Sequence, residues 1–268
     1  MGEIDSGRQL LYGFQLDALR MDEVVARCRT AMATRQRVLI GVVNAAKIVH
    51  ARRDALLRGS LIDCDVLLAD GQSVVWASRM LHHPLPERVA GVDLFERLLA
   101  LADGEKRSVY LLGARPAVLA RLEAVLGQRF PGLSIAGSHH GYFDDADSAR
   151  IAGLIRRSGA DMLFLGMTSP RKEIFLGAFG PSLDVPVLHG VGGSFDILAG
   201  HTRRAPPAWQ RLGMEWAYRV LQEPRRLWWR YLWTNTAFVA LTAIEWLHPT
   251  RAFARIAIIK SPAGIPRI

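Results

Sequence analysis

An acidic residue closes the short apolar run Leu67-Leu68-Ala69-Asp70, and Gly71 follows it. Val66 to Ala69 reads as a buried strand and Ser73 to Leu81 as a helix, so Asp70 falls where strand hands over to helix. In open α/β sheets that carboxyl edge is where ligands bind. A carboxylate there can take a proton from a substrate hydroxyl, although Asp before Gly is also a common turn former. Company favours the ligand site. Similar junctions recur at Val43-Asn44, at Gly166-Met167-Thr168-Ser169-Pro170 and at Gly190-Val191-Gly192-Gly193-Ser194-Phe195-Asp196.

Three other constellations have residue types that could do chemistry. Gly190-Val191-Gly192-Gly193 follows a strand but lacks the full GxGxxG spacing, and no acidic residue ends a strand about twenty positions later. That argues against a dehydrogenase and leaves a glycine turn that lets a ligand approach the backbone. Asp63-Cys64-Asp65 has the acid-x-acid pattern of metal-dependent sugar-nucleotide enzymes, yet it precedes the strand and belongs to the opposite, amino edge. Helix capping or solvation suits it better. His139-His140, if both lie on a strand, point to opposite faces and are poorly placed to share one metal. No structural zinc and no cofactor are expected.

The elements that must position these residues alternate. Strands are expected at Val38–Val43, Val66–Ala69, Ser108–Leu112, Leu133–Ala136, Asp161–Gly166 and Val185–His189. Helices are expected over about Ala45–Arg58, Ser73–Leu81, Val92–Ala102, Pro116–Phe130 and Asp145–Arg157, and from Pro170. This pattern implies an α/β fold with a doubly wound, Rossmann-like parallel sheet over residues 1–205. From Pro206 the pattern is helical only, giving an appendage over 206–247 and a loose tail over 248–268.

Body and appendage differ in composition. The net charge is +9, and residues 203–268 hold eleven Lys or Arg against three Glu, leaving the body close to neutral. Six of the seven Trp lie there too: Trp209, Trp216, Trp228, Trp229, Trp233 and Trp246. A solvated or body-packed face, nucleic-acid binding and an interfacial helix were compared. The recognised RNA and DNA motifs are missing, and Trp among arginines is costly on a solvated face. An interfacial helix fits best, with Arg225, Arg226 and Arg230 toward anionic headgroups. Leu227 to Leu247 is interrupted by Arg230, Asn235 and Glu245, so it makes a poor transmembrane span. Met1 to Gln9 carries no apolar signal core. Cys28 and Cys64 are expected reduced and structural, as in a cytosolic protein.

Several of these segments together resemble the WecG/TagA/CpsF family of bacterial glycosyltransferases, over about Tyr12 to Trp246. The resemblance rests on the Asp70-Gly71 turn, Pro86-Glu87-Arg88-Val89-Ala90-Gly91-Val92-Asp93, His140-Gly141-Tyr142-Phe143 and Ser169-Pro170-Arg171-Lys172-Glu173. It continues through Gly190–Gly200, Arg204-Ala205-Pro206, Gln210–Trp216 and Leu221–Arg226. The family order of these motifs carries the specificity.

The resemblance implies inverting, metal-independent transfer of an N-acetylmannosamine-type or related sugar from a UDP donor. The implied acceptor is a polyprenyl-diphosphate-linked saccharide in cell-surface polysaccharide synthesis. The implied place is cytoplasmic, peripheral on the inner face of the bacterial plasma membrane, with an anionic membrane surface as partner, no nucleic acid, and an oligomer compatible. By motif position Asp70 matches the general base and Arg88 an arginine near the diphosphate. Tyr142 and Asp196 match nucleotide positions. Arg211, Arg219, Arg225 and Arg226 lie in the appendage that helps close the site. Asn44, Gly71, Lys172, Gly192 and Gly193 complete the substrate-binding set. Two departures stand out: Val42-Val43-Asn44 keeps only the Asn of Thr-Pro-Asn, and Pro170-Arg171-Lys172-Glu173 puts a lysine where relatives carry Gln. The alternative is a non-catalytic binder of sugar nucleotide or lipid diphosphate on the same scaffold.

Overall fold

The computed structural model describes residues 7–253. The chain opens with β1 (Arg8–Leu11), β2 (Phe14–Asp17) and α1 (Met21–Thr34), followed by β3 (Val38–Val43), α2 (Ala45–Ala51) and α3 (Ala55–Ile62). Next come β4 (Val66–Ala69), α4 (Gln72–Met80), α5 (Gly91–Gly104), β5 (Ser108–Gly113) and α6 (Pro116–Arg129). The body closes with β6 (Ser134–His139), α7 (Ser148–Ser158), β7 (Met162–Gly166), α8 (Arg171–Phe179), β8 (Val187–Gly190) and α9 (Ser194–Leu198). Then α10 (Pro207–Arg211), α11 (Glu215–Gln222) and α12 (Pro224–Leu247) form the helical end.

Six strands make one parallel sheet in the order β4-β3-β8-β7-β5-β6. Their buried residues alternate between two cores, as a period of two requires. Leu39, Val43, Leu67, Leu112, Leu163 and Leu188 face the core shared with α2, α3, α4, α7 and α8. Val38, Ile40, Leu68, Leu111, Phe164 and Val187 face the other, with α1, α5, α6 and α9. Cys28 and Cys64 are buried in opposite cores and unpaired, and burial pushes each thiol up to about 12. That excludes a bond between them and leaves both inert.

The sequence reading changes in four places. An antiparallel hairpin, β1–β2, covers the outer side of β4. The Asp17 carboxylate accepts from Leu67 N at 2.8 Å and Arg8 donates to Asp65 O at 2.6 Å, so side chains occupy ladder groups of an edge strand. The single helix expected over Ala45–Arg58 is two, because Asp54 caps a new start by accepting from Leu57 N at 2.9 Å. β6 runs on to His139, and the His139 and His140 rings are neighbours, with centroids 4.7 Å apart, instead of diverging. No group of three or more metal-ligating side chains occurs among the described residues. Asp65 indeed sits at the amino edge, accepting from Leu39 N at 2.8 Å and pairing with Arg37.

The helical end is less separate than its composition implies. A stripe on α12, comprising Leu227, Thr234, Phe238, Thr242 and Glu245, is buried, and α12 packs on α2 and α11. Tyr12 OH and Thr242 Oγ1 lie 2.8 Å apart, Tyr12 N donates to Glu245 at 3.1 Å, and the Tyr12 and Phe238 rings are 5.3 Å apart. Glu245, which breaks the apolar run in sequence, is thus an internal acceptor. The first residues of the expected loose tail are instead packed: Phe253 N donates to Gly13 O and its ring meets Phe14. The rest of that expectation, residues 254–268, lies outside the described residues.

Candidate active site along the carboxyl edge

All the loops leaving the parallel strands at their carboxyl ends carry candidate residues, and the strand order spreads them along one edge. β4 and β5 are separated by four strand spacings, about 19 Å.

At the β4 end Asp70 follows the last strand residue, its own N–H donating to Val43 O at 2.8 Å. Its Oδ1 accepts from Gly91 N at 3.0 Å. Asp70 is half-buried, and its other oxygen has no hydrogen bond among the described residues. Asn44 is beside it. The Asn44 Oδ1 caps α2 by accepting from Lys47 N at 3.0 Å, which leaves its amide NH2 group to donate. A Cβ on Gly71 would come within 3.3 Å of the Asn44 Cβ, so the turn packs closely on it. Asp70, Gly71 and Asn44 are therefore one cluster.

Arg88 enters the same end because Val89 N donates to Ala69 O at 2.9 Å. Its guanidinium is held by acids: Nη1 lies 2.6 Å from Glu215 of α11, and Nη2 lies 3.8 Å from Asp93. Arg204 closes the set through both Asp93 oxygens, one at 2.9 Å, and Glu215 at 3.4 Å. Burial alone would lower the Arg204 pKa; Asp93 first and Glu215 second outweigh it and raise it. Two arginines and two acids thus lock the start of α11 onto the body. Arg204, Asp93 and Glu215 were not singled out from the sequence for this contact. Their presence inside the matching motifs was the only available signal.

The turn between α10 and α11 sits on the start of α4. Gly213 has φ +67°, and a Cβ there would lie 2.8 Å from Gln72 and 3.2 Å from the Trp76 ring. Arg219 and Arg225 are exposed on α11 and α12. Arg211 and Arg226 belong to α10 and α12, and their side chains lie outside the described part of the structure.

At the β5–β6 end the groups stand open. Tyr142 is 64% exposed, with its OH 3.5 Å from Arg115 Nε. The Tyr142 hydroxyl, and further off the Asp196 carboxylate, push the Arg115 pKa up. Arg115 was missed as a site residue, though its place was readable: it precedes Pro116 at a strand-to-helix junction, where anions meet backbone N–H groups. Gly192 at φ +55° and exposed Gly193 start α9 between the two ends. Beside Tyr142 an open cavity of about 560 Å³ is lined by His139, His140, Phe143, Asp144, Asp147, Arg150 and Arg171.

Lys172 stands apart from these open groups. It is 5% exposed and lies beneath the cleft, paired with Glu173, which also meets Lys47 at 2.9 Å. Its stem supports the backbone at Gly190, where an added Cβ would meet Lys172 Cδ at 3.1 Å. Burial, then Lys47, pulls the Lys172 pKa down. Burial would raise that of Glu173, but the two lysines outweigh it and hold it well below the usual carboxylate range. This lysine lies under the floor at Gly190 with its ammonium paired to Glu173. His189, fully buried and pulled down by burial to about 4, is neutral behind Gly91.

The glycosyltransferase family model of WecG, TagA and CpsF matches residues 9–252. A match that reaches from the β1 hairpin through α12 includes both ends of the cleft and the helices that close one of them. The chain belongs to the WecG/TagA/CpsF glycosyltransferase family.

Proposed function

We propose that this chain transfers an N-acetylmannosamine-type or related sugar from a UDP donor to a polyprenyl-diphosphate-linked saccharide, with inversion. The product would serve bacterial cell-surface polysaccharide synthesis. The observation that carries the reading is Asp70: one oxygen is oriented by Gly91 N and the other has no hydrogen bond among the described residues. As general base it takes the proton of the acceptor hydroxyl. The acceptor oxygen then bonds to the anomeric carbon as the bond to the UDP oxygen breaks, and UDP leaves. One displacement inverts the configuration.

The leaving diphosphate needs positive charge and N–H donors. Arg88 at one end and Arg115 at the other supply candidates, with Gly192 and Gly193 between them and Tyr142 and Asp196 at the nucleoside. This donor set makes the reaction metal-independent in our reading. Arg211, Arg219, Arg225 and Arg226 would add charge from the appendage.

The helical end supports membrane contact at a peripheral, cytoplasmic face. The buried stripe of α12 mixes Thr234, Thr242 and Glu245 with Leu227 and Phe238, whereas Trp228, Trp229, Leu232, Val239, Ile244 and Trp246 are exposed. A large exposed apolar surface marks a partner or membrane, and the neighbouring arginines suit anionic headgroups. Among the described residues no helix is long and apolar enough to cross a membrane.

The test incubates the full chain with a panel of UDP-sugars and a short-chain lipid-diphosphate saccharide, with and without EDTA. UDP release and product mass are measured. We expect one sugar to be added and activity to survive EDTA. Retention of UDP or lipid without product would replace the reading with a non-catalytic binder, and metal-reversible loss would overturn metal independence.

A further inference from the structure

The apolar surface extends onto the catalytic body, beside the proposed base. α4 starts at Gln72, two residues after Asp70, and exposes Trp76 (48%) and Met80 (66%). Spacing of four residues puts both on one helical face. The rise of a helix places them about 6 and 12 Å beyond its start. Arg79 is exposed on the same side of the helix. The appendage turn meets this face at Gly213, which rests on Gln72 and Trp76, and its neighbours Leu212 and Met214 are exposed as well.

A body helix of this kind normally buries its apolar face. α4 does so with Val74, Val75 and Ala77, then carries a second apolar pair outward. Resting on the reading of the acceptor given above, we propose that Trp76 and Met80 hold the first prenyl units of the acceptor lipid. An acceptor whose sugar hydroxyl reaches Asp70 must carry its diphosphate and then its hydrocarbon away from that point. The order of surfaces matches: carboxylate at Asp70, the cation Arg88, then Trp76 and Met80 along α4 with Arg79 between them, and Leu212 and Met214 alongside. Trp suits the boundary between a charged head and a hydrocarbon chain. α4 would thus read the lipid, and the cleft the sugars.

The full chain and two variants, Trp76→Ala with Met80→Ala, and Met80→Ser alone, are compared on two acceptors with the same saccharide diphosphate. One carries a methyl group in place of the prenyl chain and the other a long polyprenyl chain in anionic vesicles. In the double variant we expect KM for the polyprenyl acceptor to rise about tenfold or more, with kcat/KM on the methyl acceptor within about twofold of wild type. Met80→Ser, at a more exposed position, should shift KM the same way by a smaller factor. Independently of turnover, a prenyl diphosphate with a photoreactive group on its chain should label the peptide containing Trp76 and Met80 in wild-type protein. Labelling elsewhere, or equal loss on both acceptors, overturns the proposal. So does a change of oligomeric state in the variants without labelling, which would make this face a contact between copies. Failure of sugar transfer in wild type strikes the functional reading instead, and the labelling result still decides the lipid track.

Discussion

At the β4 end of the sheet the polar groups are already engaged, whereas at the β5–β6 end they face solvent. Asp70 is hydrogen-bonded to Gly91 N, Asn44 caps α2, and Arg88 is held by Glu215. Tyr142 and Arg115 have only each other at 3.5 Å, with Asp196 near. The contrast suits two tasks. A base must be oriented before its substrate arrives, because a free carboxylate that swings loses the geometry of proton transfer. A nucleotide site gains by staying open, since its ligand brings the missing partners. The helical end touches the first region, through Glu215 on Arg88 and Gly213 on Gln72 and Trp76.

The largest effect that would break this contrast is expected at Asp70. Asp70→Asn keeps size and the bond to Gly91 N but removes the basic oxygen, and transfer should fall about 10²–10⁴-fold. UDP affinity, measured by calorimetry, should stay near wild type. A loss of UDP binding would mean that the two ends are not separate in function.

Glu173→Gln attacks the floor between them. Leaving Lys172 and Lys47 buried without their carboxylate should cost about 3–5 kcal/mol in denaturant unfolding. The wild-type acid limb should change with it. Because the folded pKa of Glu173 lies below that of an unfolded glutamate, its stabilisation is full above the carboxylate range and fades as pH falls through it. The variant should flatten that part of the stability–pH curve, and an unchanged curve would refute the assignment.

Glu215→Gln loosens the lock on Arg88 and Arg204. We expect a loss of about 1–3 kcal/mol in stability and faster proteolysis between Thr202 and Met214. Resistance equal to wild type would show that the four-residue network does not hold the helical end.

Tyr142→Ala tests the open end and should be the mildest. If Tyr142 stacks on the nucleobase, UDP affinity drops about tenfold, while transfer at saturating donor remains within a few-fold of wild type. A collapse of the saturated rate would move Tyr142 from binding into chemistry.

Much of the edge was legible from sequence because its parts are local. Apolar runs followed by Asn44, Asp70 or Gly192 announce strand-to-helix junctions, and a parallel sheet puts every such junction on one side. Other features depended on partners distant in sequence. β1 and β2 are short and polar on one side, and they become strands because β4 needs its edge covered. A local cap was also decisive: Asp54, accepting from Leu57 N three residues on, breaks a helix that hydropathy alone would continue. Lys172 looks like a cation at a ligand loop, yet Glu173, which also pairs with Lys47 from α2, holds it inward.

The sequence by itself determined the alternation of elements, the two-sided core and the place of Asp70, since these follow from periodicity and from short-range turn chemistry. It also determined that the C-terminal quarter is cationic and rich in Trp. Only the tertiary structure decided which charges meet. Arg88 and Glu215 are more than a hundred residues apart, and Tyr12 meets Glu245 across nearly the whole chain. An ion pair or a buried hydrogen bond depends on a few ångströms of separation and on the exclusion of water. Residue type does not specify either quantity, because both arise when remote elements pack together.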